Sequence, residues 1–336
     1  MSPTAPPLTV LTGPEMARQI EGARPAYLEA VRNGYLIHDA AGDSVPHSAF
    51  LHFPHRPADR VIALPAYVGA DVDLAGIKWI SSFPGNIDHG LNRASAVLLL
   101  NDATTGYAFA CLESSLISAT RTAASAVLAA ETLVGSRTAR RIGFIGAGLI
   151  ASHVRAFFRD LEWSVGGYRV FDLDRGAAER FTADLVAGGA TDVVATDSAE
   201  KLFADCDVIV LATVAGSPHL HDPALLAHSP VVLHLSLRDL APAVILAAEN
   251  FTDDVDHAVR ARTSLHLTEE QEGHRRFVTG TLGDLLTGRV QRTDGRPAVF
   301  SPFGLGVLDL AVGKLAYDRA IADGTGLVIS DFHPAR

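Results

Sequence analysis

The chain has 336 residues, of which 48% are hydrophobic and 20% are charged, and its formal net charge is −10. This length accommodates roughly two domains, and the net negative charge excludes a broad nucleic-acid-binding surface. No apolar run approaches the ~18 residues that a membrane-spanning helix needs. The N-terminal stretch MSPTAPPLTV lacks the basic and apolar regions of a signal peptide, so we expect a cytoplasmic protein.

The segment up to about residue 120 alternates in the manner of strands in a mixed sheet, with turns at GAD, PGN and ATTG. Within it, the stretch AGIKWISSFPGNI (residues 75–87) places Lys78 in an otherwise apolar strand. Lysine is rarely buried without a partner. Lys78 is therefore either a solvated edge residue or a cleft cation that binds an anion, and we favour the cleft cation.

Two arginines in this part of the chain are further candidates for anion binding. Arg121 lies near the start of a long alanine-rich helix, SSLISATRTAASAVLAAETL, where small neighbours indicate close packing. Arg93 lies in GLNRASAV. Each could equally be an ordinary surface cation, and the pattern alone leaves both alternatives open.

Strands and helices alternate between about residues 138 and 240. The stretches RRIGFIGAG, YRVFDLD, TDVVAT, CDVIVLAT and VVLHLSL are typical of strands, and LIASHVRAFFRDL, AAERFTADLV and AEKLFA of helices. Alternation with nearly continuous apolar strands predicts a parallel sheet covered on both faces. The expected fold class is therefore α/β, with a Rossmann-type doubly wound domain.

A G-x-G-x-x-A motif joins the first of these strands to its helix, with Gly146, Ala147, Gly148, Leu149 and Ile150 as candidate cofactor-binding residues. The first glycine would permit a tight turn, the second would let a pyrophosphate approach the backbone, and the helix start would supply free N–H groups. Asp172 ends the next strand, 24 positions after the second glycine, where a carboxylate would bind the ribose and repel a 2′-phosphate. The motif therefore predicts NAD as cofactor. The alternative is a glycine-rich turn that binds nothing.

Other motifs give weaker evidence of function. GLGVLDLAVGKL resembles a phosphate-binding loop, but its glycine spacing is wrong and Leu315 replaces the required hydroxyl residue. Two histidine pairs lack a cysteine or carboxylate partner at a standard spacing, so we expect no metal site: His52 with His55, and His219 with His221.

Four segments together resemble the ornithine cyclodeaminase/mu-crystallin family: Lys78 in GIKWISSFPGN, the block TGYAFACLESSLISATRTAAS, the turn GFIGAG and the segment LRDL. The resemblance extends from about Tyr67 to Gly326. Within the family, KWISSFPGNIDHGLNRASAVLLLND is most similar to the dehydrogenases that supply L-2,3-diaminopropionate for siderophores and peptide antibiotics. Those enzymes use NAD⁺ to convert N-(2-amino-2-carboxyethyl)-L-glutamate to 2-oxoglutarate and diaminopropionate.

The resemblance also implies an organisation. Residues 1–122 and 303–336 would form a mixed α/β substrate-binding and dimerisation domain, and residues 123–302 would form the inserted NAD-binding domain. By motif, Lys78 and Arg121 match the residues that bind the substrate carboxylate, and Asp239 matches the catalytic aspartate. Thr122 and Thr213 match positions near the nucleotide. The expected partners are a small amino acid conjugate and a second copy of the chain.

Asp239 has an alternative interpretation as the N-cap of a helix ahead of Pro242.

The chain also departs from the family. It has Asp239-Leu-Ala-Pro-Ala where the ornithine-cyclising branch has a Cys-Pro-Gly-Lys-like turn. An early arginine expected near VPHSAFLHFP has no unambiguous counterpart, because His47, His52 and Arg56 are all off the pattern. Two alternatives stay open. One is another enzyme of the family, such as an ornithine cyclodeaminase, an alanine dehydrogenase or a ketimine reductase. The other is a non-catalytic binding protein like some mu-crystallins.

Overall fold

The computed structural model describes residues 5–334, so the first four residues of the stretch inspected for a signal peptide lie outside it. The chain divides into two compact units. The first contains Met1–Arg121 and Leu305–Arg336, and the second contains Thr122–Gly304. Within the described part of the chain, no helix combines the length and apolar character that crossing a membrane requires.

The first unit begins with strands and helices that build most of one sheet. In chain order they are β1 (Leu8–Leu11), α1 (Gly13–Ile20), α2 (Arg24–Asp39), β2 (Asp43–Ser44), β3 (Ala49–Phe53), β4 (Arg56–Val68), β5 (Leu74–Ser82), a 3₁₀ turn (Pro84–His89), β6 (Ala94–Asp102), β7 (Ala108–Glu113) and α3 (Ser115–Val134). The predicted turns are confirmed: GAD separates β4 from β5, PGN opens the 3₁₀ turn, and ATTG separates β6 from β7.

The second unit starts within α3 and alternates strands with helices. Its elements are β8 (Thr138–Ala139), β9 (Ile142–Ile145), α4 (Leu149–Asp160), β10 (Ser164–Val165), β11 (Tyr168–Phe171), α5 (Arg175–Ala187), β12 (Val193–Ala195), α6 (Ala199–Asp205), β13 (Val208–Leu211), a 3₁₀ turn (Pro223–Leu226), β14 (Val231–His234), α7 (Pro242–Leu246), β15 (Glu249–Thr252), α8 (Val255–Ala258), α9 (Ser264–Glu272), β16 (Val278–Thr281), α10 (Leu282–Leu286) and β17 (Ala298–Phe300).

The main sheet of the second unit is parallel throughout, in the order β12-β11-β9-β13-β14-β17-β15-β16. Strands β9, β13 and β14 are buried at every position, which explains their unbroken apolar sequences. The strand order reverses between β9 and β13, and such a reversal opens a crevice at the carboxyl ends of the strands. The predicted fold class, α/β with a Rossmann-type domain, is confirmed.

The chain then returns to the first unit with α11 (Gly306–Ala322) and β18 (Leu327–Ile329). The sheet of this unit has the order β18-β1-β7-β6-β5-β4-β2, with β3 paired to β4. Helix α11 packs against α2 and against strands β4, β5 and β6. A Cβ atom at Gly313 would lie 2.3 Å from a methyl carbon of Leu98, so glycine allows α11 to approach the sheet closely.

Alternation along β5 gives the sheet of the first unit two different faces. Lys78 and Ser82 are buried on the inner face, which α11 covers. Trp79 points to the outer face and is 44% exposed. Because successive side chains of a strand point to opposite faces, an apolar strand can carry one buried lysine without breaking its pattern.

Candidate active site

Lys78 forms a buried ion triad with residues from two other elements of the first unit. Its Nζ atom lies 2.7 Å from an Asp309 carboxylate oxygen on α11 and donates to the Ser118 hydroxyl at 3.2 Å. The Nε of Arg121 donates to the second Asp309 oxygen at 3.3 Å. The side chains of Lys78 and Asp309 are 1% and 0% exposed. Lys78 is therefore neither solvated nor alone, and the alternative of a solvated edge residue is wrong.

The triad brings two cations, Lys78 and Arg121, to the carboxylate of Asp309. Burial lowers the pKa of Lys78 to about 8, an effect that Asp309 opposes and Arg121 reinforces. The side chain of Arg121 is 12% exposed. A second carboxylate placed here would accept hydrogen bonds from the two cations.

Asp309 was missed by the sequence reasoning. It lies in GVLDLAVG, an apolar helix in which an acidic residue has no obvious place. A buried carboxylate requires a cationic or hydrogen-bonding partner, and this rule could have marked Asp309 as a candidate. Its partner lies 231 residues earlier in the chain, so the sequence could not identify it.

The glycine motif of the second unit forms the turn that was predicted between β9 and α4. Gly146 has φ +91°, and a Cβ there would lie 2.5 Å from the Ala212 carbonyl oxygen. Gly148 begins α4 without a side-chain cap, and a Cβ there would meet no atom within 4 Å. Ala147, Leu149 and Ile150 complete the turn and the first residues of the helix. Open space above an uncapped helix start is where a pyrophosphate can approach the backbone.

Asp172 follows β11 and reaches back to the glycine turn. One carboxylate oxygen accepts from the Ala147 N–H at 2.7 Å, and the other accepts from the Asp174 N–H at 2.8 Å. The carboxylate is therefore held beside the turn at the carboxyl end of its strand. Each oxygen retains lone-pair capacity for a further donor such as a ribose hydroxyl.

Asp239 is buried in the second unit and is surrounded by donors. Its carboxylate accepts from the hydroxyl of Thr213 at 2.5 Å and from the hydroxyl of Ser236. One oxygen lies 3.1 Å from Nε2 of His219, and the other lies 3.2 Å from Nε2 of His234. The structure thus gathers residues from the ends of β13 and β14 around one carboxylate.

This environment fixes the charge state of Asp239. Burial by itself raises the pKa, but the hydrogen bond and charge of His234 and the hydroxyls of Ser236 and Thr213 hold the pKa of Asp239 well below its usual range. The side chain is ionised at neutral pH. The N-cap of α7 is Ala241, so the alternative in which Asp239 caps the helix ahead of Pro242 is wrong.

Three members of this network were missed by the sequence reasoning: His234, Ser236 and Ser301. The Nδ1 of His234 lies 3.1 Å from the Ser301 hydroxyl, and the His234 side chain is 0% exposed. The available signal was HLSLRD, where polar residues interrupt the end of an apolar strand. His219 had been weighed only as a metal ligand. In residues 5–334, no cluster of three or more histidine, cysteine or acidic side chains could hold a metal ion.

Three candidate residues from the sequence remain to be placed: Arg93, Thr122 and Thr213. Arg93 is half-buried and donates to the Ser82 hydroxyl at 2.8 Å. Thr122 is half-buried on α3, next to Arg121 in the chain. Thr213, which was expected near a nucleotide, directs its hydroxyl to Asp239.

Comparison with known proteins defines the class of this chain. The sequence model of the ornithine cyclodeaminase/mu-crystallin family matches residues 36–324. The match covers well over half of the chain, so the chain belongs to this family. The family predicted from the four sequence segments is confirmed.

Particular relatives and solved structures are similar to this chain over most of its length. The N-((2S)-2-amino-2-carboxyethyl)-L-glutamate dehydrogenase of Staphylococcus aureus is 28% identical over 280 residues, which cover 81% of this chain and 82% of the relative. Among solved structures, a Thermococcus litoralis Δ1-pyrroline-2-carboxylate reductase in complex with NADH and L-proline is 20% identical, with TM-score 0.87 and coverage of 95% and 99% of the two chains. An archaeal alanine dehydrogenase dimer with bound NAD is 22% identical, with TM-score 0.85 and coverage of 97% and 100%.

The two glycines of the turn make separable predictions. Gly146→Ala should lower the melting temperature, because the new methyl group would overlap the Ala212 carbonyl and because φ +91° disfavours alanine. Gly148→Ala should melt like the parent, since its methyl group enters open space. The same variant should weaken NAD⁺ binding at least tenfold, because the methyl group occupies the space needed by the pyrophosphate. The measurements are thermal melting and NAD⁺ titration by intrinsic fluorescence. Full NAD⁺ affinity in Gly148→Ala would contradict the assignment of this turn.

Proposed function

We propose that this chain is an NAD-dependent oxidoreductase that converts N-(2-amino-2-carboxyethyl)-L-glutamate and water to 2-oxoglutarate and L-2,3-diaminopropionate. Membership of the family supports the broader statement, an oxidoreductase that acts on a C–N bond with NAD. The similarity to the Staphylococcus aureus dehydrogenase supports the particular substrate.

The observation that carries the proposal is the pair of cations in the buried triad. Lys78 and Arg121 both contact the carboxylate of Asp309, so two cations of the first unit lie side by side. A carboxylate of the substrate would bind to these two cations. A non-catalytic binding protein would not require the second feature of the chain, an ionised carboxylate buried among hydroxyl and imidazole donors at Asp239.

NAD fits the second unit. The open space at Gly148, the uncapped start of α4 and the backbone-held carboxylate of Asp172 would hold the pyrophosphate and the adenosine ribose. A carboxylate at this position disfavours the 2′-phosphate of NADP. When bound, NAD⁺ accepts the hydride that leaves the Cα atom of the glutamate half.

Residues of this chain would bind and orient the substrate and stabilise the charge that forms on it. Lys78 and Arg121 would bind the α-carboxylate and orient the Cα–H bond, mainly a positioning effect. Loss of the hydride turns the neighbouring nitrogen into an iminium cation, which the charge of Asp239 stabilises. Water adds to the carbon, and the carbinolamine breaks its C–N bond to give the ketone and the amine. One NADH and one proton are formed for each substrate.

Asp239 would also serve as the general base in this sequence. It would accept a proton from the attacking water or from the nitrogen, and its Oδ1 atom lies 3.1 Å from Nε2 of His219. The side chain of His219 is 43% exposed, whereas that of Asp239 is 0% exposed. Proton transfer through a positioned acid and base supplies about 10²–10⁴-fold of many enzymatic rates.

The assembly and the biological setting are also proposals. A homodimer would cover the outer face of the sheet in the first unit, where Leu51, Tyr67, Trp79 and Val97 are exposed. Contiguous apolar surface of this kind marks interaction sites in many proteins. The expected setting is the cytoplasm, in the synthesis of a siderophore or a peptide antibiotic that contains diaminopropionate.

Direct turnover tests the proposed function. The purified chain is incubated with NAD⁺ and the glutamate conjugate, and NADH is followed at its absorbance band beside ornithine, alanine and glutamate. We expect NADH formation with the conjugate to exceed that with each single amino acid. Preferential oxidation of alanine, or release of ammonia from ornithine, would instead assign one of the other activities found in the family.

Replacing Asp239 by asparagine tests whether the charge of this side chain, and not only its place in the fold, is needed for turnover. Asp239→Asn should fold and bind NAD⁺ like the parent, because the amide oxygen can accept from one of the two hydroxyls, Thr213 or Ser236, while the amide nitrogen donates to the other. Its kcat should fall about 10²–10⁴-fold, since the anionic base is lost. The measurements are kcat with the conjugate and the melting temperature. Turnover within a few-fold of the parent at an unchanged melting temperature would exclude a catalytic role for Asp239.

The pKa of Lys78 predicts how ligand binding depends on pH. Below about 8 the amine is charged and binds a carboxylate, and this attraction is lost as the pH rises past about 8. The affinity for 2-oxoglutarate, which has no titrating amine, should therefore fall about tenfold per pH unit at higher pH, as one linked proton requires.

Lys78→Arg provides the matched control, because arginine stays charged over this range. The pH dependence above 8 should disappear in this variant, provided that its melting temperature and NAD⁺ affinity match the parent. Calorimetric titrations between pH 7 and 9.5 measure the effect. An affinity of the parent that does not change over this range would refute the role of Lys78.

A further inference from the structure

A second pair of cations lies at the far end of the strand that carries Lys78. Arg60 on β4 is directly opposite Ser82 on β5, so the two side chains point to the same face of the sheet. Arg93 precedes β6 and donates to the Ser82 hydroxyl at 2.8 Å. Ser82 is itself 6% exposed. The guanidinium of Arg93 therefore contacts a buried serine, and Arg60 lies opposite that serine on the same face of the sheet.

These two arginines have no carboxylate to balance them. Within residues 5–334, the side chain of Arg60 forms no hydrogen bond or ion pair, and the side chain of Arg93 has Ser82 as its hydrogen-bond partner. Burial and the charge of Arg60 together lower the pKa of Arg93. By contrast, Arg56 at the start of β4 pairs with Asp59 and stacks over Phe53. Two half-buried like charges are unfavourable unless an anion lies between them.

The pair shares the inner face of the sheet with Lys78. Lys78 and Ser82 are four residues apart on β5, a distance of about 13 Å along a strand. The side chains of Lys78 and of the two arginines are several ångströms long, so their charged groups can lie closer together than the backbone positions. An elongated ligand with carboxylates at both ends could therefore contact the triad with one carboxylate and the arginine pair with the other.

We propose that Arg60, Arg93 and Ser82 form a subsite for a distal carboxylate of the substrate. The proposal rests on the proposed function and defines its substrate class: N-linked amino acid conjugates with at least two separated carboxylates. Alanine and ornithine carry one carboxylate each, so they cannot engage both sets of cations.

Simple dicarboxylates test the subsite without any turnover. Glutarate, adipate and suberate are titrated into the NAD⁺-free full chain beside monocarboxylates of the same length. At least one dicarboxylate should bind ten times more tightly than its monocarboxylate partner. Arg60→Met and Arg93→Met should each remove this preference and leave monocarboxylate binding unchanged. Arg56→Met, which removes a nearby cation that is already paired, should leave the preference intact.

Melting temperatures exclude a merely structural role. Loss of either arginine relieves repulsion, so the ligand-free variants should melt at or above the parent temperature, and a clear decrease would show that the arginine holds the fold. A parent chain without dicarboxylate preference, or variants that keep it, would overturn the subsite. NADH formation with the glutamate conjugate is recorded separately. If the parent prefers dicarboxylates but does not oxidise the conjugate, the subsite is supported and the proposed function is wrong. If both variants oxidise the conjugate at the parent rate, the proposed function is supported and the subsite is wrong.

Discussion

The buried carboxylate of Asp309 links three elements of the first unit. It bonds Lys78 on β5 and Arg121 on α3, and it comes from α11, after the whole second unit has intervened in the chain. Removing one partner of such a buried pair typically costs about 3–5 kcal/mol, because the remaining charge is left uncompensated. The close approach of α11 to the sheet at Gly313, one turn after Asp309, keeps the carboxylate within reach of Lys78.

Charge is distributed unevenly in this chain, and the local imbalance matters more than the total. A net charge of −10 repels anionic ligands at long range. Anion binding must therefore come from cations whose burial protects them from solvent screening, as at Lys78 and Arg121. The second unit shows the opposite arrangement, since Asp239 is an ionised carboxylate enclosed by donors. Each unit thus contains a buried group of charged side chains whose neighbours hold it in place.

Local signals in the sequence predicted the elements of the fold, and long-range contacts limited the prediction of the site. The glycine turn and the strands of the parallel sheet follow from patterns a few residues long, and the structure reproduces them. The donors around Asp239 come from Thr213, His219 and Ser236, which meet only when β13 and β14 pair. Helix α7 begins after Ala241, two residues too late for Asp239 to act as its cap, and propensity alone does not fix such a boundary.

The low pKa of Asp239 bears on which part of catalysis it serves best. A carboxylate held ionised by several donors is a weak base, because the same hydrogen bonds that favour its charge oppose its protonation. Its charge is nevertheless fixed in place. In the proposed reaction it would therefore stabilise a cation at the substrate nitrogen without reorganising. His219 contacts the same carboxylate and its side chain is 43% exposed, so the hydrogen-bond network runs from a buried charge to an exposed imidazole.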